Sequence, residues 1–107
     1  MAQPIMVGTM SRDIEDADYV VVQGDKYVNF SGLSDARTVT LPDPSTLGPT
    51  DDVEIKDVDG TATILNTITI SVTGGALIEN LASLVINLAY GKHRLRSTGT
   101  AWVRVIP

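Results

Sequence analysis

Short runs in which apolar and polar residues alternate, each cut off by Gly, Pro or Asp, restrict this chain more than any other feature. Period-two alternation puts alternate side chains on opposite sides of a pleated strand, so each run reads as a strand with one buried face. In "VEIK" Val53 and Ile55 oppose Glu54 and Lys56, and in "ITISVT" Ile68, Ile70 and Val72 oppose Thr69, Ser71 and Thr73. "DYVVVQ" carries the β-branched run Val20 to Val22, and a Gly24-Asp25 turn signal leads into "KYVNF". "RTVTLP" sets Val39 and Leu41 against Thr38 and Thr40, then stops at Pro42, which has no N–H for a ladder. After "PDPSTLGPTDD", an irregular loop, and the stretches above, "KHRLRS", "TGT" and "AWVRVI" read as a terminal hairpin. About nine short strands separated by turn residues predict an all-β domain: a compact sandwich, barrel or prism-like assembly. The 43% hydrophobic content of 107 residues supports one packed core. A core this small leaves much surface exposed, so association with further copies is an economical remedy.

"VEIKDVDGTATILNTITI" raises a specific question, because its Asp-x-Asp-Gly segment fits either a metal loop or a turn. Aligned to a calcium loop, Asp57, Asp59 and Gly60 take the third, fifth and sixth positions. Ile55 then falls at the first position and Asn66 where a bidentate Glu is needed, so the ligand set is incomplete. Asp59-Gly60 instead predicts a two-residue type I′ hairpin between its flanking strands. The segment "ALIENLASLVINLAY" fits two patterns: Leu77, Leu81, Leu84 and Leu88 lie at helical spacing, while Leu84, Ile86 and Leu88 also alternate. One helix, or two short strands turning near Glu79-Asn80, satisfies it, and the pattern alone leans to the helix.

Residues 1–17 show neither period, and Asp13, Glu15, Asp16 and Asp18 cluster towards their end, which predicts an irregular N-terminal arm ahead of a β domain at 18–107. Residues 1–60 carry 12 acids and 4 bases (net −8), whereas residues 61–107 carry one acid and 4 bases (net +3). That imbalance suits meeting opposite potentials across an interface. It does not suit coating nucleic acid, which requires an excess of Lys and Arg. The N-terminus has no basic and apolar leader pattern, and Ser83 and Asn87 break the longest apolar stretch, so neither secretion nor membrane spanning is indicated. With no cysteine there is no disulfide framework, and an intracellular folding environment fits best.

Chemistry finds little foothold. His93 is the only histidine, there is no Gly-x-Ser-x-Gly elbow, and one His without Cys cannot supply the usual zinc sets. "VTGGAL" and "STGTAW" lack the spacing and lysine of phosphate-binding loops. Paired-carboxylate hydrolysis generally needs a cleft in a larger scaffold. The reading is a non-enzymatic protein with no cofactor, no metal and no small-molecule substrate, and Trp102 is a core or interface anchor.

The ordered string "VTLPDPSTLG", "VEIKDVDGTA", "NTITI", "GGALIEN" and "VINLAYGKHRLRSTGTAWVRVI" resembles the β-structured modules of tailed-bacteriophage virion proteins: head decoration or head-fibre proteins and outer tail-fibre domains. The likeness spans residues 27–106 and favours strands for residues 76–90. It implies a homotrimer displayed on the virion exterior after assembly in the bacterial host cytoplasm, bound to the major capsid protein or another virion protein. Within it, Ile68, Ile70, Leu84, Ile86, Trp102 and Ile106 are candidates for the buried or axial faces of the trimer. Asp13, Glu15, Asp16 and Asp18 are candidates for an arm that docks on the capsid. A chain of this length has no room for a fibre shaft, which favours head decoration over a tail-fibre or receptor-binding domain recognising a host glycan or protein.

Overall fold

The computed structural model describes residues 11–47 and 52–105. It contains nine strands: β1 (Ser11–Glu15), β2 (Tyr19–Val20), β3 (Tyr27–Ser31), β4 (Arg37–Leu41), β5 (Asp52–Asp57), β6 (Ile68–Val72), β7 (Leu84–Ile86), β8 (Lys92–Ser97) and β9 (Trp102–Arg104). Among the described residues only two single 3-10 turns, Pro44–Thr46 and Thr73–Gly75, interrupt them. The all-β expectation holds. Residues 84–86 are a strand, and the β8–β9 hairpin forms as its alternation predicts.

The pairing is not the run of hairpins that the turn signals suggest. The sheets have orders β1-β3-β5-β8-β9 and β2-β4-β6-β7, so up to β6 each strand passes to the other sheet. Within each sheet the first three strands are parallel: Ser11 lies beside Tyr27 and Tyr27 beside Glu54, while Tyr19 lies beside Val39 and Val39 beside Ile70. The chain therefore winds as a coil of three rungs, β1–β2, β3–β4 and β5–β6. Antiparallel β7, β8 and β9 then finish the stack. Neither sheet closes on itself, so the described residues form no barrel.

Stacking places like residues above one another. Val28 lies over Ile55 and Phe30 beside Ile14 in one sheet, and Val39, Ile70 and Leu84 share a row in the other. These inward rows merge in a single apolar cluster, in which Val28, Phe30, Val39, Leu41, Ile55, Ile68, Ile70 and Leu95 are fully buried. Each such side chain contributes roughly 1.5–3 kcal/mol by leaving water.

Two expectations need correction. The arm expected over residues 1–17 is not irregular throughout: Ser11–Glu15 pair with β3 in full register, and residues 1–10 lie outside the described region. Exposure is the reason its period was hidden, since β1 is an edge strand whose Ile14 alone is partly covered. The Asp59-Gly60 hairpin is absent as well, because β5 and β6 belong to different sheets and only Gly60 of the pair has positive φ. The tight turn occurs at Glu79-Asn80, both with positive φ, closed by reciprocal Ile78–Leu81 backbone bonds of 2.8 Å each.

Candidate functional site

Asp57 and Asp59 answer the metal question through their partners. Asp57 is fully buried, and its carboxylate accepts from the amides of Thr61 (3.2 Å), Ala62 (3.0 Å) and Tyr90 (3.0 Å). Asp59 accepts from the Gly32 amide and the Thr61 hydroxyl at 2.8 Å each, and the Gly32 amide is the leading cause that holds its carboxyl below the usual range. Carboxylates that accept from nearby backbone N–H and hydroxyl groups brace the turn that carries those donors. The segment is thus a corner that ties the 58–67 loop to the 32–36 and 87–91 turns. Among the described residues no group of three or more His, Cys, Asp or Glu converges as a metal site would require.

The acidic cluster divides. Asp16 accepts from the Ser34 amide (2.9 Å) and from Nε and Nη2 of Arg37 (3.1 and 3.0 Å). The Ser34 hydroxyl and amide, with help from Arg37, pull its carboxyl down to about 2. Asp18 caps the Thr38 amide at 2.8 Å. These two serve the fold. Asp13 meets only the Asn29 amide group at 3.2 Å among the described side chains, and Glu15 is exposed. The candidates free to face a partner are therefore Asp13 and Glu15, both on the outer face of β1.

A buried network behind that edge has no counterpart in the sequence reading. Asp25, 4% exposed, accepts from Arg12 Nε (2.7 Å), the Tyr19 hydroxyl (2.7 Å) and the Val22 amide (3.0 Å). Burial pushes the Asp25 carboxyl up, but the Arg12, Val22 and Tyr19 donors outweigh it and leave it below its ordinary value. The same burial, reinforced by Asp25, pushes the Tyr19 phenol up to about 12. Gly24-Asp25 was legible as a turn, yet nothing local indicates that its carboxylate turns inward to fasten the first rung.

The outer faces of the two sheets contrast. One carries Asp13 and Glu15 on β1, Asp52, Glu54 and Lys56 on β5, and Lys92, Arg94 and Arg96 on β8, so acid at one edge grades into base towards the other. Arg94 Nη2 holds Asp52 at 2.9 Å across this face. The strand rows of the other face, Val20–Thr40–Ser71 and Thr38–Thr69–Val85, contain no ionisable group, and Asp18 borders them beside Thr38. Because a coil stacks in chain order, the uneven charge of the sequence becomes a gradient along the molecule.

Of the six candidates for buried or axial faces, five are buried. Ile68 and Ile70 (both 0% exposed), Ile86, Leu84 and Trp102 belong to the core of this one chain, and Ile106 lies outside the described residues. The chain's own two sheets cover them. Trp102 also donates its indole N–H to the Pro42 carbonyl at 3.1 Å.

A cleft of about 250 Å³ opens on the turn side between Val22, Lys26, Pro42, Leu47, Asp52 and Trp102. His93 is half-buried, its Nε2 3.4 Å from the Val85 carbonyl, away from that cleft's lining. No helix among the described residues is long and apolar enough to cross a membrane. No protein-family model matches the chain, and no curated protein matches it significantly. The class that the fold defines is a short, two-sheet β coil with one charged and one uncharged outer face.

Proposed function

We propose that this chain is a non-enzymatic structural protein of a phage virion, a decoration protein that assembles as a homotrimer and binds the outer capsid surface. The reading takes its protein class from the resemblance stated above. The one observation that carries the binding mode is the charge gradient, which leaves Asp13 and Glu15 exposed on an edge strand at the acidic end of the stack. Acid concentrated at one end suits a basic docking surface, since complementary potential speeds and orients association.

Contact between copies falls to the uncharged face of Val20, Thr38, Thr40, Thr69, Ser71 and Val85. Depletion of charge is what distinguishes the centre of an interface from ordinary surface. Co-sedimentation with undecorated heads tests the reading. Wild-type protein pellets with heads, and the Asp13→Lys/Glu15→Lys double variant stays in the supernatant; wild type that fails to pellet refutes head binding. Sedimentation of the protein alone should give a trimer, reduced to monomer by Thr69→Lys, and a wild-type monomer refutes the assembly.

The cleft beside Trp102 favours a second reading, a fibre-type module recognising a host glycan or surface protein. Binding of the purified protein to a glycan array, lost on changing Lys26 and Asp52 in the cleft lining, would replace the decoration reading.

A further inference from the structure

We propose that the outer edge of β1 is a strand-addition site for an extended, basic segment of another protein, in which Lys or Arg occupies alternate positions. This deepens the head-binding reading by naming how the partner is held.

The two ends of the coil differ. At the far end the chain covers its own last strand: the Trp102 amide donates to the Leu77 carbonyl (3.0 Å), its carbonyl accepts from the Glu79 amide (2.9 Å), and the Arg104 amide donates to the Glu79 carboxylate (3.0 Å). At the near end β1 is, among the described residues, the outermost strand of its sheet. In a parallel pair, alternate residues turn both N–H and C=O to the same neighbour. The Asp16 amide donates to the Ser31 carbonyl, so Asp16, Ile14 and Arg12 address β3. Asp13 and Glu15 consequently turn their backbone groups to the open edge, and the same residues carry the exposed carboxylates. An extended segment laid against β1 gains main-chain bonds to Asp13 and Glu15, and its outer-face side chains fall beside both acids.

Charge selects the occupant. A second copy paired through the same edge would bring Asp13 and Glu15 against their own equivalents, which is repulsive. A second copy approaching with the outer edge of its β9 meets backbone groups already engaged by Leu77 and Glu79. The sequence of residues 1–10 contains no Lys or Arg to match the two carboxylates. A foreign basic strand satisfies backbone and carboxylates together.

The probe is a fluorescein-labelled peptide Lys-Val-Lys-Thr-Lys-Val-Lys-Thr, compared by anisotropy with a same-composition peptide whose four lysines are contiguous. The alternating peptide should bind the full-length protein at least tenfold more tightly than the blocked one. On its addition, NMR should show slowed exchange of the Asp13 and Glu15 amides. Asp13→Pro removes one outward donor and leaves the bonds to β3 in place, and it should weaken binding at least tenfold. The Asp13→Lys/Glu15→Lys variant supplies the same loss without a proline, and unchanged Trp102 fluorescence certifies the fold of both. Equal binding of the two peptides, or undiminished binding by Asp13→Pro, overturns the proposal. Heads bound without discrimination between peptides leave head binding standing and strand addition refuted; peptide discrimination without head binding does the reverse.

Discussion

Replacing Asp57 tests whether buried carboxylates, rather than turn propensity, direct this chain between its sheets. Asp57→Ala strips the acceptor from the amides of Thr61, Ala62 and Tyr90 at a position with no exposure. Each buried donor left unsatisfied costs about 1–3 kcal/mol, and Tyr90 and Thr61 sit close enough to the surface to recover water. Allowing for that relaxation, the loss is roughly 3–5 kcal/mol, against roughly 5–15 kcal/mol for a whole domain. Asp57→Asn keeps one oxygen but turns an NH₂ group towards the remaining donors, so it should fall between, at roughly 2–3 kcal/mol. Urea unfolding followed by the fluorescence of buried Trp102 measures both, with far-UV circular dichroism as an independent probe of two-state behaviour. An Asp57→Ala loss below about 1 kcal/mol would show that the corner holds without its carboxylate and refute the argument. Calcium added to wild type should leave the midpoint where it was.

The Asp25 network should register in a spectroscopic titration: one of the three tyrosines ionises late, near 12, and Asp25→Asn brings it down part of the way, since burial of the Tyr19 ring remains. Acid stability should follow Asp16. Its folded value, about 2, lies below the ordinary 3.8, so its contribution is complete above the ordinary carboxylate range and disappears as pH falls towards 2. Asp16→Asn should flatten that limb of the stability–pH curve, and an unchanged slope would count against the Ser34 and Arg37 contacts. Gly60→Ala should cost about 1–2 kcal/mol, because φ is +79° there. The new Cβ would also fall 2.7 Å from the Tyr90 ring, but Tyr90 is 60% exposed and can swing aside. Adding Tyr90→Ala should therefore rescue little, and full rescue would make the clash, not the backbone, the cause.

What the sequence reveals of this fold is what period two can carry: the faces of Val53, Ile55, Ile68 and Ile70 and the existence of the last hairpin. Period two says nothing about partners, since a strand alternates identically whether its neighbour runs parallel or antiparallel. The decision was taken by side chains whose partners are remote in sequence. Asp57 reaches Tyr90, 33 residues on, and Asp16 reaches Arg37, 21 residues on, and such pairings leave no local trace. Turn propensity even pointed to the wrong place. Asp59-Gly60 has the better hairpin composition, yet Asp59 is committed to Gly32 and Thr61, while Glu79 accepts positive φ with its carboxylate bound to the Arg104 amide and guanidinium. The acidic residues illustrate the same limit at the candidate site: composition grouped Asp13, Glu15, Asp16 and Asp18, and only the parallel register separates two that brace the first rungs from two that face outward. Once the chain is known to coil, however, sequence order becomes position along the stack, and the uneven charge acquires a direction. Among the described residues the first strand is an outer strand of its sheet, and the residues written there determine what can be added to it.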